Sequence, residues 1–161
     1  MSDTKAKSGG PASDPSGLKP RIGSSYPAPY GALCMGREKR ALGDVFGIKN
    51  FGVNVTRIAP GAASAQRHWH THQDELIYML EGELVLVTDA GEQVLTPGMT
   101  AGFPAGVPNG HMLINRTDRE AVYLEVGDRT AGDEVEYPDI DMAGRIIEGQ
   151  RRFVRKDGSS F

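Results

Sequence analysis

Residues 66–83 read QRHWHTHQDELIYMLEGE, and this stretch decides how the rest of the chain is read. His68 and His70 stand two apart. In an extended strand, residues i and i+2 share a face, so both imidazoles aim at one point. Thr71 to Asp74 is a short polar break with the composition of a turn. Glu75 then opens Leu76-Ile77-Tyr78-Met79-Leu80, an apolar run of strand length closed by Glu81-Gly82. A strand, a turn and a second strand return Glu75 to the side of the two histidines. Two neutral imidazoles and a carboxylate at one point are a ligand set for a divalent metal. His70 and His72 form a second His-x-His pair, but only two residues separate it from Glu75. His68 and His70 are one candidate pair, with His72 as the competing candidate. Trp69, between the two ligands, is expected on the opposite face of the strand.

A second stretch, residues 98–115, reads GMTAGFPAGVPNGHMLIN and supplies His111. The chain has four histidines, and all fall in these two stretches. Together the stretches resemble the two motifs of the cupin superfamily, small β-barrels that usually hold one metal ion. The first motif is matched by Gly61, His68, His70, Glu75 and Gly82, with six residues before His68 where the family has five. The second is matched by Gly98, Pro104, Gly106, His111 and Asn115. Four residues, Val107 to Gly110, stand between Gly106 and His111 where the family has two. The resemblance implies His68, His70, Glu75 and His111 as ligands of one divalent ion. The phrases FPAGVPNGH and YLEVGDR resemble a bacterial group of single-domain, RmlC-like cupins, whose membership names no reaction.

Working outward, 161 residues suffice for one domain with a single core. Twenty-one glycines suit short strands joined by many turns. A net charge of −3 gives no electrostatic case for nucleic acid or an anionic membrane. No apolar run is long enough to span a bilayer, and the lysines near Met1 precede no apolar segment of the secretory type. The single cysteine, Cys34, excludes an internal disulfide framework. A reduced, cytoplasmic setting is the expectation.

Residues 1–19 carry almost nothing apolar and are expected to form a mobile tail. Residues 20–50 read as an extended arm with a short strand around Arg40 to Phe46. The Tyr- and Pro-rich segment Tyr26 to Tyr30 is a candidate for crossing to a partner subunit. Residues 51–129 are the expected barrel core. Strands are expected over Phe51 to Ile58, Gln66 to His70, Glu75 to Leu80, Glu83 to Thr88, Glu92 to Leu95, Met99 to Phe103, His111 to Ile114 and Glu120 to Val126. Asp89-Ala90-Gly91 is a tight hairpin turn. Strands at short, even spacing with no long amphipathic helix between them argue an all-β sandwich or barrel. The resemblance narrows this to the jelly-roll barrel, the double-stranded β-helix. Residues 130–161 are expected to pack on the barrel or on a partner, with one more strand at Glu134 to Tyr137.

For function, the site suggests a mononuclear centre for Zn, Fe, Mn or Ni that leaves positions open for a small polar metabolite. The resemblance implies that oxygenase, isomerase or lyase chemistry is compatible with such a site. The alternative is non-catalytic binding of a sugar or organic acid; a third reading is a barrel that its metal merely stabilises. No separate general base stands out in the sequence, and proton-transfer chemistry needs one. Arg57, Arg67, Tyr78 and Tyr123 are candidates to face the cavity. Edge strands need covering, so a homodimer is expected. Asn115 is expected to close a turn.

Overall fold

The computed structural model describes residues 12–161, and strands dominate its regular structure. In chain order they are β1 (Arg21–Ile22), β2 (Arg37–Ala41), β3 (Phe51–Ile58), β4 (Trp69–His70), β5 (Glu75–Glu81), β6 (Leu84–Thr88) and β7 (Gly91–Leu95). There follow β8 (Thr100–Phe103), β9 (Met112–Ile114), β10 (Ala121–Asp128), β11 (Val135–Glu136), β12 (Ala143–Ile147) and β13 (Gln150–Val154). One six-stranded sheet runs β1-β2-β3-β10-β5-β8, a second runs β7-β6-β9, and a third runs β13-β12-β11-β4. Every pairing is antiparallel. β10 lies between β3 and β5, and β9 beside β6, the crossed connectivity of a jelly roll.

Alternation is clearest on β5. On β5, Ile77 and Met79 point inward while Leu76, Tyr78 and Leu80 stay exposed. On β10, Ala121 and Tyr123 are inward. These meet Leu84, Leu86 and Leu95 of the three-stranded sheet, with Ile58 and Leu113, in one core. A satellite cluster of Val135, Tyr137 and Met142 is covered by Tyr26, Tyr30 and Phe153. Gly82 turns the chain from β5 to β6 with φ of +71°; a Cβ there would lie 2.6 Å from the Glu120 carbonyl. Only glycine fits that approach and that backbone.

Residues 1–11 of the expected tail lie outside the described residues. Within its remainder, Pro15–Gly17 forms one 3-10 turn capped by the Asp14 side chain. The expected strand at Arg40 to Phe46 is displaced. β2 ends at Ala41, and Leu42–Val45 forms a single helical turn. Gly43 and Asp44 are poor strand residues, and Asp44 instead binds Arg129 at 2.5 Å. The Gln66 to His70 strand is shorter than expected, with ladder pairing only at Trp69–His70. Tyr26, expected to reach a partner, packs edge-on against Tyr137 and Phe153 of its own chain, and Tyr30 against Phe161.

Candidate functional site

His68 and His111 face one another across an isolated antiparallel bridge. His68 N donates to the His111 carbonyl at 3.1 Å, and His111 N to the His68 carbonyl at 2.8 Å. Directly opposed residues in such a pair project to the same face. His70 continues that face two residues on, in β4, opposite Val135. Its carbonyl accepts from the Gly106 amide at 2.9 Å, which ties the second motif to the first. Glu75 begins β5 between Gly127 and Phe103. The result is a convergence on one carboxylate oxygen. Glu75 Oε2 lies 3.0 Å from His111 Nε2, 3.6 Å from His70 Nε2 and 3.8 Å from His68 Nε2. Ligand atoms of His68, His70 and Glu75 all fall within 4.8 Å of one another.

The far side of each ring fixes its orientation. His68 Nδ1 lies 2.8 Å from the Gln66 carbonyl, which can only accept, so that nitrogen carries the proton. Burial holds His68 down at about 3, against the opposing pull of Glu75, so the ring is neutral. His70 Nδ1 donates to Asp133 Oδ2 at 2.7 Å. Asp133 is 2% exposed and also accepts from Arg151 at 2.5 Å and from the His72 amide at 3.0 Å. His111 is held by stacking instead. Its ring lies 3.6 Å from that of Phe103 at an interplanar angle of 4°, and its Nδ1 is buried without a partner among the described residues. Burial alone would raise Glu75; the His111 hydrogen bond and the neighbouring imidazoles hold its carboxyl well below the usual range.

This donor set suits a cation. With Nδ1 protonated on a neutral ring, Nε2 of His68 is a bare lone pair facing an ionised carboxylate, and two electron-rich groups need positive charge between them. Imidazole and carboxylate together suit Zn, Fe, Mn or Ni.

The cluster sits in a cavity of about 320 Å³. Of the four side chains expected to face it, only Tyr123 does, 1% exposed. Tyr78 lies outside, 43% exposed. Arg57 turns to Glu120 at 3.6 Å, and Arg67 is bound by Asp139 and Asp89. His72 is exposed, with its ring on Thr71 Oγ1 at 2.7 Å. The insertion Val107 to Gly110 forms a turn in which Asn109 binds the Asp89 amide, leaving His111 in register. Asn115 closes the following turn, donating to the Ile58 and Arg119 carbonyls at 2.9 and 2.6 Å. A small second cavity behind His70 and His111 is lined by Trp69, Pro104 and Val107.

The cavity also holds groups that the sequence reading passed over: Arg21, Arg37, Lys39, Glu125, Tyr137 and Arg151. Their signal was parity. Glu125 is two residues from inward Tyr123, and Arg37 and Lys39 share a face of β2, opposite inward Ile58 and Thr56. Glu125 Oε1 accepts from Lys39 Nζ at 2.7 Å and Asn54 Nδ2 at 3.0 Å, while Oε2 has no partner among the described residues.

A jelly-roll barrel with a His-His-Glu cluster at one cavity defines a class, and the comparisons agree with it. A Cupin domain profile matches residues 54–127. A sugar phosphate isomerase from a cupin superfamily of Silicibacter pomeroyi is 46% identical, with a TM-score of 0.89, over 94% of this chain and 96% of that one. The chain belongs to the cupin superfamily. A candidate sugar phosphate isomerase from Acidithiobacillus ferrooxidans is 27% identical, TM-score 0.72, over 81% of this chain and 84% of that one. The polyketide cyclase RemF of Streptomyces resistomycificus shares the fold at 21% identity, TM-score 0.61, over 73% of this chain and 78% of that one. No curated protein sequence matches the chain.

Proposed function

We propose that this protein is a metal-dependent isomerase of a small sugar phosphate. One observation carries the reading: a single cavity holds three imidazoles converging on Glu75 and a second carboxylate, Glu125, with one oxygen anchored and one free. The 46% identity to a sugar phosphate isomerase supports the choice of substrate class. His68, His70, Glu75 and His111 are the ligands in this reading. A divalent ion bound by them would polarise the carbonyl and hydroxyl oxygens of an α-hydroxy carbonyl compound, acidifying the C–H bond between them.

Glu125 supplies the base that the sequence did not reveal. Its Oε2 takes the proton from C2 of the aldose and returns it at C1, while the hydroxyl proton passes from O2 to O1. Lys39 and Asn54 grip Oε1 and so fix which oxygen is presented. Asp133 and the Gln66 carbonyl keep the Nδ1 protons of His70 and His68 away from the ligand side. Phe103, Ile77, Val135 and Phe153 give the cavity apolar walls that limit water.

The test has two parts. Plasma mass spectrometry on the untagged protein should give about one equivalent of divalent metal, the stoichiometry of a mononuclear site, lost in His70→Ala. A panel of aldose phosphates incubated in deuterated buffer should take up deuterium at the carbon next to the carbonyl, and Glu125→Gln should abolish this with metal retained. No metal after reconstitution, or no exchange with any member of the panel, refutes the proposal. A protein that binds its ligand without turnover would leave every C–H bond unexchanged.

A further inference from the structure

We propose that the cavity contains a dedicated phosphate subsite formed by Arg21 and Arg37. The inference rests on the isomerase reading and names where the substrate's phosphate is held. The subsite is built on β1 and β2, whereas the histidine cluster is built on the His68–His111 bridge, β4 and β5.

Arg37 is the central observation. It is 9% exposed, yet no carboxylate lies within 4.0 Å of it among the described residues. Its guanidinium is held by neutral carbonyls alone. Nε and Nη2 donate to the Gly23 carbonyl at 3.0 and 2.6 Å, and Nη1 to the Ser64 carbonyl at 2.5 Å. A guanidinium has five N–H bonds, so two remain uncommitted. Taking a charge out of water without a counter-charge is expensive, and proteins rarely do so without a partner for it.

The strand register adds a second cation. Arg37 and Lys39 stand two apart on β2 and share a face. Arg21 on β1 is directly opposite Lys39. Like charges in that position repel. Lys39 is neutralised by Glu125 at 2.7 Å, but Arg21 has no carboxylate within 4.0 Å among the described residues. Arg151 also lines the cavity and is committed to Asp133 at 2.5 Å. This wall therefore carries two unmatched positive charges, in a chain whose overall charge is −3. A phosphate monoester is close to a dianion at neutral pH, which matches the excess; a carboxylate would leave one charge over. Planar guanidinium forks suit phosphate oxygens, and Ser24 and Ser25 line the same wall.

The probe is inorganic phosphate, titrated calorimetrically into the purified full-length protein. One phosphate should bind per chain. His70→Ala should bind it within threefold of the parent, because the subsite does not depend on the metal. Arg21→Gln should weaken it about tenfold, the scale of one charge-assisted hydrogen bond, and Arg37→Met further still. Acetate should bind at least tenfold more weakly than phosphate. Circular dichroism checks folding; should Arg37→Met fail to fold, Arg21→Gln decides alone, since it replaces an exposed strand residue. The inference is overturned if phosphate does not saturate, if Arg21→Gln binds like the parent, if acetate binds as tightly, or if His70→Ala abolishes binding. A protein that binds phosphate in the expected pattern but exchanges no C–H proton sinks the isomerase reading and leaves the subsite standing.

Discussion

Asp133→Ala tests whether the histidine cluster is a metal centre or a polar knot. The Asp133 carboxylate accepts three hydrogen bonds, from His70 Nδ1, Arg151 and the His72 amide. The bond from His70 lies at a buried carboxylate and is of the charge-assisted class, about 1.5–3 kcal/mol; the one from the His72 amide adds about 0.5–1.5 kcal/mol. Arg151 is 40% exposed, so solvent screens that pair and it adds little. The expected loss is roughly 2–4 kcal/mol, a fall of roughly 5–15 °C in Tm for a chain of this size. The second readout matters more. Without its acceptor, the His70 ring is free to rotate or to place its proton on Nε2, and removing such outer partners typically weakens metal affinity about 10–100-fold. Competition against a chromogenic chelator measures this. Asp133→Asn keeps an amide oxygen that can serve His70, so its metal affinity should fall by less. Metal affinity in Asp133→Ala within threefold of the parent would refute the assignment of His70 as an oriented ligand.

Acid should destabilise the chelator-treated protein. The folded His68 ring titrates near 3 against 6.5 unfolded, so between those values the unfolded chain binds a proton that the folded chain does not, and stability falls with pH. Glu75, held below its usual 4.5, acts in the same direction at lower pH. Urea midpoints should decline from neutral pH to about pH 4.5, and a flat profile would contradict the buried neutral ring. Gly82→Ala should cost more than about 2 kcal/mol, since it combines a left-handed φ with a backbone clash; a melt within 2 °C of the parent would contradict this. A homodimer, expected from the need to cover edge strands, is here proposed to use the outward face of β5, where Leu76, Tyr78 and Leu80 are exposed. Light scattering should give twice the chain mass, and Leu76→Lys with Tyr78→Lys should halve it; a monomeric parent ends the idea.

Local patterning made the barrel legible. Phe51–Ile58 reads straight from FGVNVTRI because its residues alternate in polarity, although the inward side carries Asn54, Thr56 and Ile58 while Phe51 stays exposed. The Leu42–Val45 turn was hidden because a single helical turn is shorter than the period that would reveal it. His68, His70 and Glu75 were legible because they are near neighbours in sequence. Asp133 was not, since its bond to His70 spans 63 residues. Arg37 and Glu125 looked like ordinary charges in amphipathic strands. Only the sheet order shows that β2 and β10 flank β3 and turn these residues toward the same cavity. Arg57 and Arg67 were taken by exposed acids that sequence spacing did not single out.

Trp69, the chain's single tryptophan, sits between His68 and His70 and lines the small cavity behind His70 and His111. The protein thus carries an intrinsic fluorophore on the backbone of its own site. Its emission is free of interference from any other indole. A paramagnetic ion bound by the flanking histidines would quench it, whereas a closed-shell ion would only shift it. Occupancy, metal type and the rate of loading are therefore readable in one cuvette without a label.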